Sequence, residues 1–168
     1  MISCPRPACD AGPVRTDDTP VTVRRATIDD VTAIVAMLAD DPLGAGREDP
    51  ADPAPYRAAF ERIDADPSEL LLVADSAGTV VGTLQLSLLP GLARRGALRA
   101  QIEAVRVAAD RRGAGLGETM VRYAADEARR RGAVLVQLTS DRSRTGAHRF
   151  YERLGFVASH EGYKLPLV

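Results

Sequence analysis

Ile28, Val31, Ile34, Val35 and Leu38 recur at helical spacing and predict an amphipathic helix, with Thr27 followed by Asp30 as its start pattern. Val21 to Arg25, just before it, predicts a strand. Asp41 to Pro55 carries Pro42, Pro50, Pro53 and Pro55 and reads as loop, and a second helix is expected over Tyr56 to Ala65. The Leu-rich run Glu69 to Asp75 and the run Thr79 to Leu88, joined at Ala77-Gly78, predict a hairpin. Pro90-Gly91 turns again into a strand over Ala97 to Val107. Leu116, Met120, Tyr123 and Ala124 share one face of a long helix from Leu116 to Arg130, which Gly132 terminates. Ala133 to Thr139 predicts a buried strand and Thr145 to Leu154 a helix; Phe156-Val157-Ala158 and Tyr163 to Leu167 are expected to close the sheet.

A chain of 168 residues is long enough for one domain with a proper core, expected here over residues 21–168. Residues 1–20 hold four Pro and little apolar content and read as a disordered tail. No apolar run approaches the ~20 residues of a membrane span. The first residues, with Pro5, Pro7 and Asp10, carry no signal-peptide core, so a cytoplasmic protein with no membrane partner is expected. Cys4 and Cys9 lie in the Pro-rich tail without a nearby His, and His148 and His160 are the only histidines, which argues against a metal centre.

Charge is unevenly spread although the net charge is −1. Arg94 to Arg131 holds ten Arg against five acidic residues, and Asp29 to Glu69 holds eleven acidic residues against three Arg. The basic stretch suits an anionic cofactor, and the acidic one could attract a cationic substrate through Asp40, Asp41, Glu48, Asp49 and Asp52. Without aromatic interleaving, and with an acidic pI of about 6.1, a nucleic-acid partner is not expected.

The basic stretch contains Arg112-Gly113-Ala114-Gly115-Leu116-Gly117, between a predicted strand and a predicted helix. Glycines let successive N–H groups point inward, and the helix N-terminus adds partial positive charge, so the segment forms a phosphate-binding concavity. A dinucleotide fingerprint would need Gly where Glu118 stands, and a nucleotide P-loop would need a Lys that is missing here. What remains is R-x-x-G-x-G. With Val105-Arg106-Val107 before it, this resembles the acetyl-coenzyme A loop of the GNAT N-acetyltransferases. Ala147-His148-Arg149-Phe150-Tyr151-Glu152-Arg153-Leu154-Gly155-Phe156 resembles the same family's C-terminal A-x-x-x-Y-x-x-x-G-F motif. The element order β-α-α-β-β-β-α-β-α-β-β matches its fold, an α/β architecture with a central mixed sheet and helices on both faces.

The resemblance implies an acetyl-CoA-dependent N-acetyltransferase that uses direct attack by an amine. It implies that the backbone of Val105 and Val107 pairs with the pantetheine arm and that the Val105 N–H polarises the thioester carbonyl. Arg112, Gly113, Ala114, Gly115, Leu116, Gly117 and Glu118 would bind the pyrophosphate, Tyr151 would be the general acid, and Glu103 the candidate base. On strand parity Glu103 should share a face with Gln101 and Val105. Where many family members carry Asn this chain has Arg144, which could reach cofactor oxygens; Ser140 or Ser143 could substitute. His148 is a candidate functional residue or an ordinary helix side chain. The tail Ala147 to Leu167 also resembles acetyltransferases of small aminoalkyl compounds, including aminophosphonates, which makes a small-molecule amine the expected acceptor. A protein N-terminus or lysine is the runner-up, and an idle acetyl-CoA sensor domain the non-enzymatic alternative. Family members commonly form homodimers.

Overall fold

The structure, a computed structural model, describes residues 14–16, 19–41 and 45–167. Its frame is a six-stranded sheet in the order β1-β2-β3-β4-β5-β6. The strands are β1 (Val14–Thr16), β2 (Thr19–Arg25), β3 (Glu69–Ser76), β4 (Thr79–Leu89), β5 (Arg99–Val107) and β6 (Leu135–Leu138). Neighbouring strands are antiparallel through β5, whereas β5 and β6 are parallel. The sheet is therefore mixed, and β6 is reached through a helical crossover. The helices are α1 (Val31–Ala39), α2 (Ala54–Ala65), a four-residue turn α3 (Ala93–Gly96), α4 (Leu116–Arg130) and α5 (Thr145–Arg153).

Helices cover both faces, and β3 shows why its sequence is so apolar. Leu70, Leu72 and Ala74 join Leu116, Met120, Val121 and Ala124 of α4 in one cluster. Val73, pointing the other way, joins Ile34, Val35 and Phe60 of α1 and α2 in the second. A strand buried on both sides has no position for an alternating polar residue. Ala77 (φ 51°) and Gly78 (φ 85°) both take the left-handed conformation that matches strand twist in a tight hairpin.

Local signals placed the helix ends well. The Thr27 amide and hydroxyl both donate to the Asp30 carboxylate, at 2.7 and 3.0 Å. Arg24 closes on the same carboxylate from β2, with Nη1 at 2.7 Å. At the far end of α4, Gly132 takes φ 87°. Its N–H donates to the Arg129 carbonyl, and the Ala133 N–H to the Ala128 carbonyl, satisfying two end carbonyls.

Two expectations are corrected. Residues 14–16 pair with β2, so part of the segment read as tail belongs to the sheet, while residues 1–13 lie outside the described residues. The segments Phe156-Val157-Ala158 and Tyr163 to Leu167 form no strands. The Phe156 N–H is spent on the Tyr151 carbonyl in the cap of α5. Glu161 is held by Arg142, and Pro166 has no N–H to offer a ladder. Tyr163, Leu165 and Leu167 are thus exposed by 83–89%.

Candidate functional site

Strand β5 carries an irregularity that the sequence does not announce. Ala104 sits at φ 53°, a conformation costly for a residue with a Cβ. The β4–β5 register passes from Thr83↔Arg106 to Gln85↔Glu103, so β5 has one residue more than β4 over this stretch. This is a β-bulge, and it exchanges the faces of the strand. Ala100 and Ile102 before it, and Val105 and Val107 after it, all pack into the cluster under α4. Glu103 shares Gln101's face as expected, but Val105 does not; the extra residue breaks the parity that predicted it.

The bulge also parts two strands. Parallel pairing of β5 with β6 runs from Arg99↔Leu135 to Ile102↔Leu138 and stops there. Beyond it lies a cavity of about 70 Å³, with Glu103, Ala104, Val105 and Arg106 on one wall. Thr139, Ser140, Arg144, Ala147 and Tyr151 form the other. Sequence-distant Glu103, Val105 and Tyr151 are thereby brought to one cleft.

Tyr151 is fixed by the end of its own helix. Gly155 takes φ 93°, which lets the Gly155 and Phe156 N–H groups cap the Glu152 and Tyr151 carbonyls. The cap folds Phe156 back onto Tyr151, with ring centroids 5.8 Å apart and edge-on, while Phe150 meets it from the other side at 5.1 Å. The Y-x-x-x-G-F spacing is thus a device for clamping one phenol. Burial pushes that phenol above its ordinary value, opposed by the charges of Arg144 and Arg106. The group stays protonated at neutral pH and can donate.

Glu103 is exposed and accepts a hydrogen bond from the Gln101 amide, whose oxygen accepts from Gln137 Nε2 at 2.9 Å. Gln101 and Gln137 orient the carboxylate but were not singled out from the sequence. Their signal was the polar pair two residues apart on one strand, matched across the ladder at Gln101↔Gln137.

The glycine loop lies where β5 leads into α4. Gly113 (φ 85°) and Gly115 (φ 82°) are left-handed, and a Cβ on either would meet open space. Gly117 faces Phe150, where a Cβ would come within 3.5 Å of the ring. Leu116 is buried and anchors the helix start. The loop is stiffened by Arg112, which donates to the Val107 carbonyl at 3.0 Å and to Asp40 at 2.8 Å. Glu118 is paired with Arg122 on the helix surface. First-turn N–H groups lack intrahelical partners, so this left-handed loop presents donors to an anion.

Of the five acidic side chains that could draw a cationic substrate, two meet arginines and three meet neutral donors. Asp40 pairs with Arg112; Asp41 lies 2.8 Å from Arg106 and 3.4 Å from Arg144. Glu48 accepts from the Tyr56 hydroxyl, and Asp49 and Asp52 accept from backbone N–H groups. Arg144 therefore meets a carboxylate from the end of α1. His148 Nε2 lies 2.8 Å from the Asp141 carbonyl, tying α5 to the loop before it. Among the described residues no group of three or more His, Cys, Asp or Glu is placed to hold a metal, and no helix is long and apolar enough to cross a membrane.

The chain is similar in sequence and fold to known proteins. The model of the Acetyltransferase (GNAT) family matches residues 32–156. An aminoalkylphosphonate N-acetyltransferase of Salmonella typhimurium is 30% identical over 147 residues, covering 87% of this chain and 92% of that protein. A solved structure from Bacillus halodurans, described as a transcriptional regulator, is 45% identical with a TM-score of 0.85, covering 88% of this chain and 99% of that one. An acetyltransferase of Trypanosoma brucei is 26% identical with a TM-score of 0.69, at 88% and 99% coverage.

Proposed function

The chain belongs to the GNAT acetyltransferase family and is an acetyl-CoA-dependent N-acetyltransferase, and from that premise we propose that its acceptor is the primary amine of a small molecule, acetylated by direct attack. The observation that carries the reading is the bulge at Ala104, which sets Glu103 and Val105 across one small cavity from Tyr151. A relative that acetylates aminoalkylphosphonates supports a small acceptor.

The residues fit acetyl-CoA. The open, left-handed loop Arg112 to Gly117, with Glu118 behind it, would take the pyrophosphate. The backbone of Val105 and Val107, flanking Arg106 where β5 has left β6, would take the pantetheine arm. Bound there, acetyl-CoA supplies an acetyl group activated as a thioester. Glu103, held by Gln101, accepts the proton the amine nitrogen must lose. The Val105 N–H is the donor to the carbonyl oxygen as negative charge develops on it. Tyr151 gives its phenolic proton to the departing thiolate as the C–S bond breaks and the C–N bond forms. No side-chain nucleophile is needed, since both proton-transfer groups serve the attacking amine and the leaving sulfur. A cytoplasmic enzyme would meet acetyl-CoA and small amines together, and this is the compartment we assign.

A screen of amines read by free-thiol release tests the proposal: turnover on small amines above that on peptide N-termini or lysines supports it, and the reverse order overturns it.

A further inference from the structure

We propose that the acceptor carries an acidic group of its own, and that Arg106 and Arg144 bind that group while its amine reaches Glu103. This rests on the small-amine reading above. Arg106 and Arg144 both line the cavity that holds Tyr151 and Glu103. One carboxylate serves them both: Asp41 Oδ2 lies 2.8 Å from Arg106 Nη2 and 3.4 Å from Arg144 Nη1. Asp41 is thus shared between two guanidinium groups, and Glu48 adds only the smallest of the attractions on Arg106, so neither arginine has a carboxylate to itself.

The donors are under-used as well. Arg106 Nε is buried without a hydrogen-bond partner among the described residues. Arg106 Nη1 is spent on the neighbouring Val105 carbonyl at 2.9 Å. Burial holds Arg106 below its ordinary value despite the Asp41 charge, with Arg144 acting in the same direction as burial. Among the described residues, Arg144 has Asp41 as its sole ion-pair partner, at the long distance just given, and is more than a third exposed. Its planar fork therefore has donors to offer a carboxylate, phosphonate or phosphate oxygen pair.

The remaining charges point the same way. A dicationic acceptor would need a second carboxylate in the cavity, and among the described residues that line it Glu103 is the one carboxylate. Glu103 is left for the amine proton. An amino acid-like or aminophosphonate-like zwitterion can bridge Glu103 and the two arginines. A neutral amine leaves Arg144 without a ligand, and a diamine sets a second cation against it.

The test is a matched set of acceptors under saturating acetyl-CoA: 2-aminoethylphosphonate, phosphoethanolamine, β-alanine, propylamine and 1,3-diaminopropane. Since a hydrogen bond to a charged group contributes about 1.5–3 kcal/mol, the best acid-bearing amine should exceed propylamine by about tenfold or more in kcat/KM. The three acidic arms identify which acid fits. Arg144→Gln should lose most of that ratio through a higher acceptor KM, and Arg144→Lys should recover part of it. Equal or better turnover of propylamine or the diamine overturns the inference and leaves the acetyltransferase reading standing. A rise confined to the acetyl-CoA KM in Arg144→Gln also overturns it, because Arg144 would then serve the cofactor. No turnover with any amine removes both readings.

Discussion

Single side chains here are set by what surrounds them more than by their type. Tyr151 is wedged between Phe150 and Phe156, and burial raises its phenol above the ordinary value near 10. Its protonated form therefore persists through any practical assay range, and kcat should show no alkaline decline from this group below about pH 10. Tyr151→Phe should lower kcat by about 10²-fold while leaving the acetyl-CoA KM close to its starting value, since the ring packing is kept. A pH–rate profile of both proteins checks each part. Asp30 is the opposite case. Arg24 and the Thr27 amide and hydroxyl bind its carboxylate, holding it at about 2 against the usual 3.8. Because the folded value is depressed, the stability it brings is complete above pH 4 and is lost as pH falls toward 2. The linkage amounts to about 2 kcal/mol. Asp30→Asn should lower the free energy of urea unfolding at pH 7 by a comparable amount, and the two proteins should converge near pH 2.

At the scale of elements, the site depends on one strand being irregular. Gly82 of β4 stands opposite Val107, and a Cβ there would lie 2.6 Å from Met120 Sδ and 3.2 Å from the Arg106 carbonyl. The sulfur can swing aside, but the carbonyl belongs to the strand that carries the bulge. Gly82→Ala should therefore cost about 1–3 kcal/mol by overpacking and raise the acetyl-CoA KM by shifting β5. Urea unfolding and steady-state kinetics check both effects. The same elements show what could be read in advance. Y-x-x-x-G-F was legible because its meaning is local: a left-handed Gly155 ends α5 and lays Phe156 on Tyr151. The loop before α4 was legible for the same reason, and so was Gly132. The bulge was not, because its left-handed residue is an alanine and its cause lies in pairing with β4. That hidden residue misled the face assignment of Val105. In the acidic segment composition records charges but not partners: Asp40 and Asp41 find arginines 65 to 103 positions away. Tyr163 to Leu167 has strand-like alternation, but alternation alone supplies no edge to pair with, and Pro166 removes a donor.

Among the described residues of the whole molecule, the sheet separates two apolar clusters, and β3 belongs to both. Leu72 points into the cluster under α4, and its neighbour Val73 into the cluster under α1 and α2. Damage on either face must pass through the same backbone ladder, which pairs β3 with β2 on one side and β4 on the other. The site is built across this partition, since Val105 packs under α4 while Asp41 brings the end of α1 to Arg106. The molecule should accordingly unfold as one unit. Leu72→Ala and Phe60→Ala, one on each face, should cost about 2–5 and 3–5 kcal/mol respectively. Each should lower a single urea midpoint with an unchanged slope, and far-UV circular dichroism and tyrosine fluorescence should trace the same curve. The tyrosines suit this test, because Tyr56 packs on one cluster and Tyr123 and Tyr151 on the other. Two separated transitions in Phe60→Ala, with the α1–α2 face lost first, would mean that this face opens independently of the face under α4. Cooperative unfolding predicts instead that, well below the midpoint of that variant, its acetyl-CoA and acceptor KM both stay close to those of the parent.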